Sequence, residues 1–166
     1  LAHRLLRIHW HEAGLAEGFQ IMDSEDQLRM VRRLLKRLEL DENEWVPREM
    51  QWFINAQKDE GLRPDRVNDD GDLKRGQMIE FYKHYEKMCA DSSVVDFGEL
   101  LLRALELFKN KPDILEQYRA RFHHLLVDEF QDTNTIQYQW LKLLAGTEGT
   151  PFVVGDDDQS IYRWRG

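Results

Sequence analysis

The chain has 166 residues, 42 % apolar and 33 % charged, with a net charge of −8. That balance suits a soluble globular protein and excludes a disordered polyelectrolyte or a uniformly basic, nucleic-acid-coated surface. The lone cysteine, Cys89, excludes an internal disulfide, and no apolar run reaches the ~20 residues of a membrane span.

The opening LAHRLLRIHW is amphipathic but lacks a signal peptide's apolar core and cleavage site. Leu5, Leu6, Ile8 and Trp10 predict a short helix face. Ser24 followed by Gln27 is a capping-box pattern, and Leu28, Val31, Leu34, Leu35 and Leu38 follow at helical spacing. Pro47 suits a first helical turn before Met50, Phe53 and Ile54. Gly61 and Pro64 close that segment, and VNDDGD at 67–72 has turn chemistry. A further helix carries Met78, Phe81, Tyr82, Tyr85, Met88 and Cys89. Asp96 with Glu99 repeats the capping pattern, and Pro112 opens a short last helix.

After residue 121 the texture changes. HHLLV is too brief for a helix, Ile136 to Ala145 reads as one, and PFVVG at 151–155 is a second short apolar run. Strand, helix and strand within about thirty residues predict a parallel βαβ unit. Both strands then end at one sheet edge, where ligands of open α/β sheets bind. Asp128 and Glu129 follow the first strand; Asp156, Asp157, Asp158 and Gln159 follow the second. Adjacent carboxylates repel, and a divalent cation that prefers hard oxygen ligands, such as magnesium, would offset that repulsion.

DEFQDTN at 128–134 and GDDDQSIYRWRG at 155–166 resemble the second and third motifs of the UvrD/PcrA/Rep helicases, in the first helicase superfamily. LAHRLL, FQIMDSEDQ, INAQKDEGLRP, VDFGELLLRA and LVDEFQDTN point to the UvrD branch and extend the resemblance over nearly the whole chain. It implies an α/β protein that is mostly α-helical: a helical inserted subdomain over 1–121, then part of a RecA-like P-loop NTPase parallel sheet over 122–166. It implies an ATP-dependent 3′ to 5′ DNA helicase of repair, with ATP and Mg2+ as cofactors. Asp128 resembles the acid that holds magnesium. Glu129 resembles the general base that activates water, and Gln159 the glutamine that senses the γ-phosphate. Tyr162 and Trp164, with Arg165 beside them, resemble residues of the single-strand site, and Lys58 and Arg63 lie where the helical subdomain is expected to meet DNA. Implied partners are single-stranded DNA, single/double-strand junctions and DNA-repair proteins, in a bacterial cytoplasm and with no membrane.

Aromatic stacking is sequence-tolerant and worth ~1–3 kcal/mol per base, which suits a motor stepping along arbitrary DNA. The basic and acidic residues number 20 and 24 up to residue 121 and 3 and 7 beyond it, net −4 in each part, so any DNA contact must be local. No glycine is followed by lysine, so GxxxxGK(S/T), the phosphate loop, is missing from these 166 residues. That absence, with a start lacking Met inside a helical pattern, predicts a segment of a longer protein that is inactive alone. Two other readings share these features: a helicase–nuclease subunit of the RecB or AddA type, and a non-catalytic single-stranded-DNA-binding module. A nuclease using the acid cluster is disfavoured by Gln131 and Gln159. His9 and His11 stand two apart and share no helix face, so they make a poor metal pair.

Overall fold

The computed structural model describes residues 1–122, 124–146 and 150–155. Among these described residues seven α-helices dominate: α1 (Ala2–Ile8), α2 (Ser24–Arg37), α3 (Pro47–Asp59), α4 (Leu73–Asp91), α5 (Phe97–Asn110), α6 (Pro112–Arg121) and α7 (Thr135–Ala145). Four short strands accompany them: β1 (Gln20–Ile21), β2 (Val94–Val95), β3 (His124–Val127) and β4 (Thr150–Val153). The chain is thus mostly helical with small parallel sheets.

Helix starts follow their local chemistry, with one shift from the sequence reading. The cap of α2 is Asp23, one residue before the expected Ser24, and its carboxylate accepts from Asp26 N at 2.7 Å. Gln27 instead turns inward, where its side chain bonds Asn55 and Gln51 of α3. Pro47 opens α3 and Pro112 opens α6, each in a first turn that needs no proline N–H. Asp72 caps α4, and Asp96 caps α5 by accepting from Glu99 N at 2.8 Å.

The apolar faces form two cores. Val31, Leu34 and Leu35 of α2 pack with Met50 and Ile54 of α3 and with Phe81, Tyr82 and Tyr85 of α4. The other core joins Leu5 and Leu6 of α1 to α5, to Ile114 and Leu115 of α6 and to Ile136, Trp140 and Leu144 of α7. Phe108 and Trp140 stack in it with centroids 5.8 Å apart. This second core therefore spans both sides of residue 121, and α7 rests on the helical layer.

β1 and β2 pair in parallel, a contact of two residues each that no sequence pattern announced. β3 and β4 also pair in parallel, with Leu125 opposite Pro151 and Leu126 opposite Phe152, joined by α7 as the βαβ reading expects. Leu126 and Phe152 are both exposed, so one face of this ribbon presents apolar side chains.

Between the cores, the ends of α3, α4 and α5 meet in a buried ionic cluster. Lys58 is 2 % exposed, with Nζ 2.8 Å from Asp96 and 2.9 Å from Glu99. Tyr85 donates its hydroxyl to the same Asp96 oxygen at 2.8 Å. Arg63 binds Glu86, Glu99 and Glu106, and Arg103 binds Glu99. Burial alone would push the Lys58 ammonium down, but the Glu99 and Asp96 carboxylates outweigh it and hold it above the ordinary lysine range. Burial likewise opposes Glu99, yet Lys58, Arg63 and Arg103 hold that carboxyl well below its usual range. Glu86 moves the other way, raised by burial and by its neighbour Glu99.

Candidate functional site

The parallel register sends β3 and β4 toward the same edge, and the backbone continues the pairing past both strands. Val154 N donates to Val127 O at 2.8 Å, and Phe130 N donates to Val154 O at 3.1 Å. Beyond β3 the chain carries Asp128 and Glu129 and then makes a 3-10 turn over Phe130–Asp132 before α7. Beyond β4 comes Gly155. A Cβ placed there would lie 2.7 Å from the side-chain oxygen of Gln131 and 3.3 Å from its backbone nitrogen. Gly155, where the second motif begins, therefore closes on the turn that follows β3, and glycine is the residue that allows it.

Glu129 has φ 53° and ψ 43°, a left-handed conformation. For a residue with a side chain that costs about 1–3 kcal/mol, and such strain collects at functional sites. The Asp128 carboxylate accepts from Glu129 N at 2.9 Å, and Glu129 accepts from the Gln131 amide. Both acids are exposed at the mouth of a cleft of about 380 Å³ whose lining includes Asp132, Thr133 and Trp140. Asp132 Oδ1 is buried and has no hydrogen-bond partner among the described residues. A larger groove of about 490 Å³ lies elsewhere, against Trp45 and Phe81, with Asp69, Asp72 and Glu80 on its rim. That groove lies away from the carboxyl ends of β3 and β4, where ligands of open α/β sheets bind, so the smaller cleft is the better candidate.

The donor set fits magnesium. Hard carboxylate oxygens from Asp128, with Asp132 nearby, suit that ion, which is held by one or two carboxylates and completes its shell with water and substrate phosphate. Among the described residues no group of three or more metal-ligating side chains occurs, so an all-protein cage is not what the site offers.

Gln159, Tyr162, Trp164 and Arg165 lie outside the described residues. Gly155, four positions before Gln159, is the last residue described, and it stands against Gln131. Lys58 and Arg63 need a correction of role. Lys58 Nζ is buried among Asp96 and Glu99, and the Arg63 guanidinium is engaged by three glutamates. A phosphate would have to displace those carboxylates, so neither residue presents an available charge at the surface.

A different basic surface went unnoticed in the sequence. The exposed side of α2 carries Arg32, Arg33, Lys36 and Arg37, and none of these side chains forms a hydrogen bond or ion pair with another described residue. Like charges at helical spacing disfavour each other by a few tenths of a kcal/mol, about 0.2–0.5 per pair, so the stripe is a locally positive surface on an acidic chain. The string VRRLLKR held the signal: once its leucines face the core, its basic residues must face out.

The family model for the UvrD/REP helicase N-terminal domain matches residues 1–166. The chain is 57 % identical to DNA helicase II of Escherichia coli over 166 residues, all of this chain and 23 % of that protein. It is 54 % identical to DNA helicase II of Haemophilus influenzae over the same span, again 23 % of that protein. Against the ATP-dependent DNA helicase PcrA of Bacillus subtilis the identity is 36 % over 164 residues, 98 % of this chain and 22 % of the relative. The chain thus spans about a quarter of the relatives it matches. With its whole length matched, it belongs to the UvrD/REP helicase family and represents that family's N-terminal domain.

Proposed function

We propose that these residues form part of the first motor domain of an ATP-driven DNA helicase that unwinds duplexes 3′ to 5′ in repair. The helical residues up to 121 are its inserted subdomain, and 122–166 are part of its RecA-like sheet. The observation that supports this best is the contact between the two motif tips, with Gly155 against Gln131 beside the acid pair. A site that must couple a hydrolysed phosphate to a conformational response needs its water-activating acid and its phosphate-sensing residue in one crevice.

In this reading Asp128 holds magnesium, which neutralises charge on the phosphate oxygens when bound. Glu129, held in a left-handed backbone conformation at the mouth of the cleft, accepts a proton from the attacking water. Gln159 senses the γ-phosphate. Tyr162 and Trp164 stack on bases of single-stranded DNA, with Arg165 near the phosphates. The phosphate loop comes from another part of the helicase, because no GxxxxGK(S/T) occurs here. These residues alone therefore turn over no ATP. The basic stripe of α2 supplies a phosphate-facing surface in place of Lys58 and Arg63.

The deciding experiment is Glu129→Gln in a full-length helicase carrying this domain. DNA-stimulated ATP hydrolysis should fall by a factor of ~10²–10⁴ while ATP still binds, as loss of a general base requires. Parental turnover by that variant would remove Glu129 from the reaction.

A further inference from the structure

The turn that carries the acids is held at its far end by a residue that no motif role accounts for. Asn134 caps α7: its Oδ1 accepts from Gln137 N at 3.0 Å, and Gln137 Oε1 in turn accepts from Asn134 N at 3.0 Å. The Asn134 amide nitrogen has a second task. It donates to Asp59 Oδ1 at 3.0 Å, across 75 positions of sequence.

Asp59 is the last residue of α3, next to Lys58 in the buried ionic cluster. Its position is therefore fixed by the helical layer. Just past it, a Cβ placed on Gly61 would lie 3.9 Å from the side-chain oxygen of Gln139 of α7 and 3.8 Å from Leu105 of α5, so α7 approaches that same junction.

An N-cap needs only an acceptor, and serine, threonine or aspartate would provide it. Asparagine alone among the good caps adds an N–H donor pair to that acceptor. Aspartate at 134 would set a second carboxylate against Asp59. The bridge to Asp59 is thus what the choice of asparagine accomplishes beyond capping. Glu129 sits in a strained conformation, and a strained turn persists only when its surroundings hold it. The Phe130–Val154 hydrogen bond holds the strand side, and Asn134 holds the helix side.

We propose that Asn134 is a positioning residue for ATP hydrolysis, acting through Asp59 to fix the 128–133 turn and with it the carboxylate of Glu129. This rests on the reading of Glu129 as the water-activating acid. A shift of about 1 Å in a reacting group can cost ~10²-fold in rate, so a loosened turn should show in turnover rather than in ATP affinity.

The test uses a full-length helicase carrying this domain, with steady-state ATP hydrolysis at saturating single-stranded DNA and thermal unfolding of each variant. Asn134→Ser keeps a capping oxygen and removes the longer amide N–H that reaches Asp59, its shorter hydroxyl being committed at the cap. Asp59→Ala removes the acceptor and leaves the cap intact. Both should lower kcat roughly tenfold with KM within about twofold. Asp59→Asn retains an oxygen acceptor and should restore kcat to within about twofold of the parent. Parental kcat in both Asn134→Ser and Asp59→Ala would overturn the proposal. So would an Asp59→Asn variant as slow as Asp59→Ala, or losses of kcat that merely track a lowered melting temperature. Glu129→Gln, run alongside, separates the two ideas: its retention of activity would sink the reading of the site itself, whatever Asn134 does.

Discussion

Gly155 stands so close to Gln131 that a β-carbon at position 155 would meet the Gln131 side-chain oxygen at 2.7 Å and the Phe130 β-carbon at 3.3 Å. The Gln131 side chain can swing aside, but the Phe130 contact and the 3.3 Å approach to Gln131 N involve less mobile atoms. Gly155→Ala should therefore push the two tips apart by tenths of an ångström. We expect DNA-stimulated ATP turnover of the full-length protein to drop about tenfold or more, with a change of less than about 1.5 kcal/mol in unfolding free energy. Urea titration and steady-state kinetics on the same variant check both halves.

The ionic cluster predicts a large loss of stability from a single substitution. Lys58→Met keeps much of the side-chain volume but leaves Asp96 and Glu99 buried without their ammonium partner. Breaking a buried pair from one side costs about 3–5 kcal/mol. Adding Asp96→Asn to Lys58→Met should recover part of that loss, because one uncompensated charge is removed. Denaturant midpoints of the two single variants and the double variant give the coupling directly.

The same cluster sets an acid limb. Glu99 is held below its ordinary range by Lys58, Arg63 and Arg103 against the opposing effect of burial. A carboxyl depressed in the folded state stabilises fully above its unfolded pKa of about 4.3, and that contribution fades as pH falls from there toward the folded value. Glu86, raised by burial and by Glu99, has the opposite sign: protonating it on the way down favours the fold. Unfolding free energy should therefore fall below about pH 4.5 more gently than Glu99 alone would dictate. Glu99→Gln should lower stability at neutral pH and flatten that limb. An unchanged acid slope in Glu99→Gln would assign the acid sensitivity to other carboxylates.

The α2 stripe predicts salt-dependent binding to DNA. Arg33→Glu, Lys36→Glu and Arg37→Glu together should weaken binding to a tailed duplex. They should also reduce the slope of log affinity against log salt by about 1 for each phosphate no longer neutralised. Binding to a single strand too short to reach α2 should not change. Equal slopes for parent and triple variant would leave the stripe a solvated face.

Much of the fold was legible because the relevant signals are local. The leucine spacing of α2, the prolines opening α3 and α6 and the apolar runs of β3 and β4 each follow from nearest neighbours along the chain. The parallel pairing of β3 with β4 was legible too, since strands joined by a helical crossover share direction. What escaped was long-range. Lys58 in QKDEG looks like a solvated residue at a helix end, and only the folding of α5 against α3 brings Asp96 to it from 38 positions away. The cap of α2 was misplaced by one because Asp23 and Ser24 are both good caps and only backbone geometry chooses between them. Two-residue strands such as β1 and β2 hold too little pattern to be read.

The outward side chains of Leu126 and Phe152 bear on handling these residues by themselves. Laid side by side on a two-strand ribbon, they make a greasy flat template for another molecule's ribbon. Preparations of this domain in isolation should clump as concentration rises, and a lysine at either position should keep them dispersed without disturbing the helices.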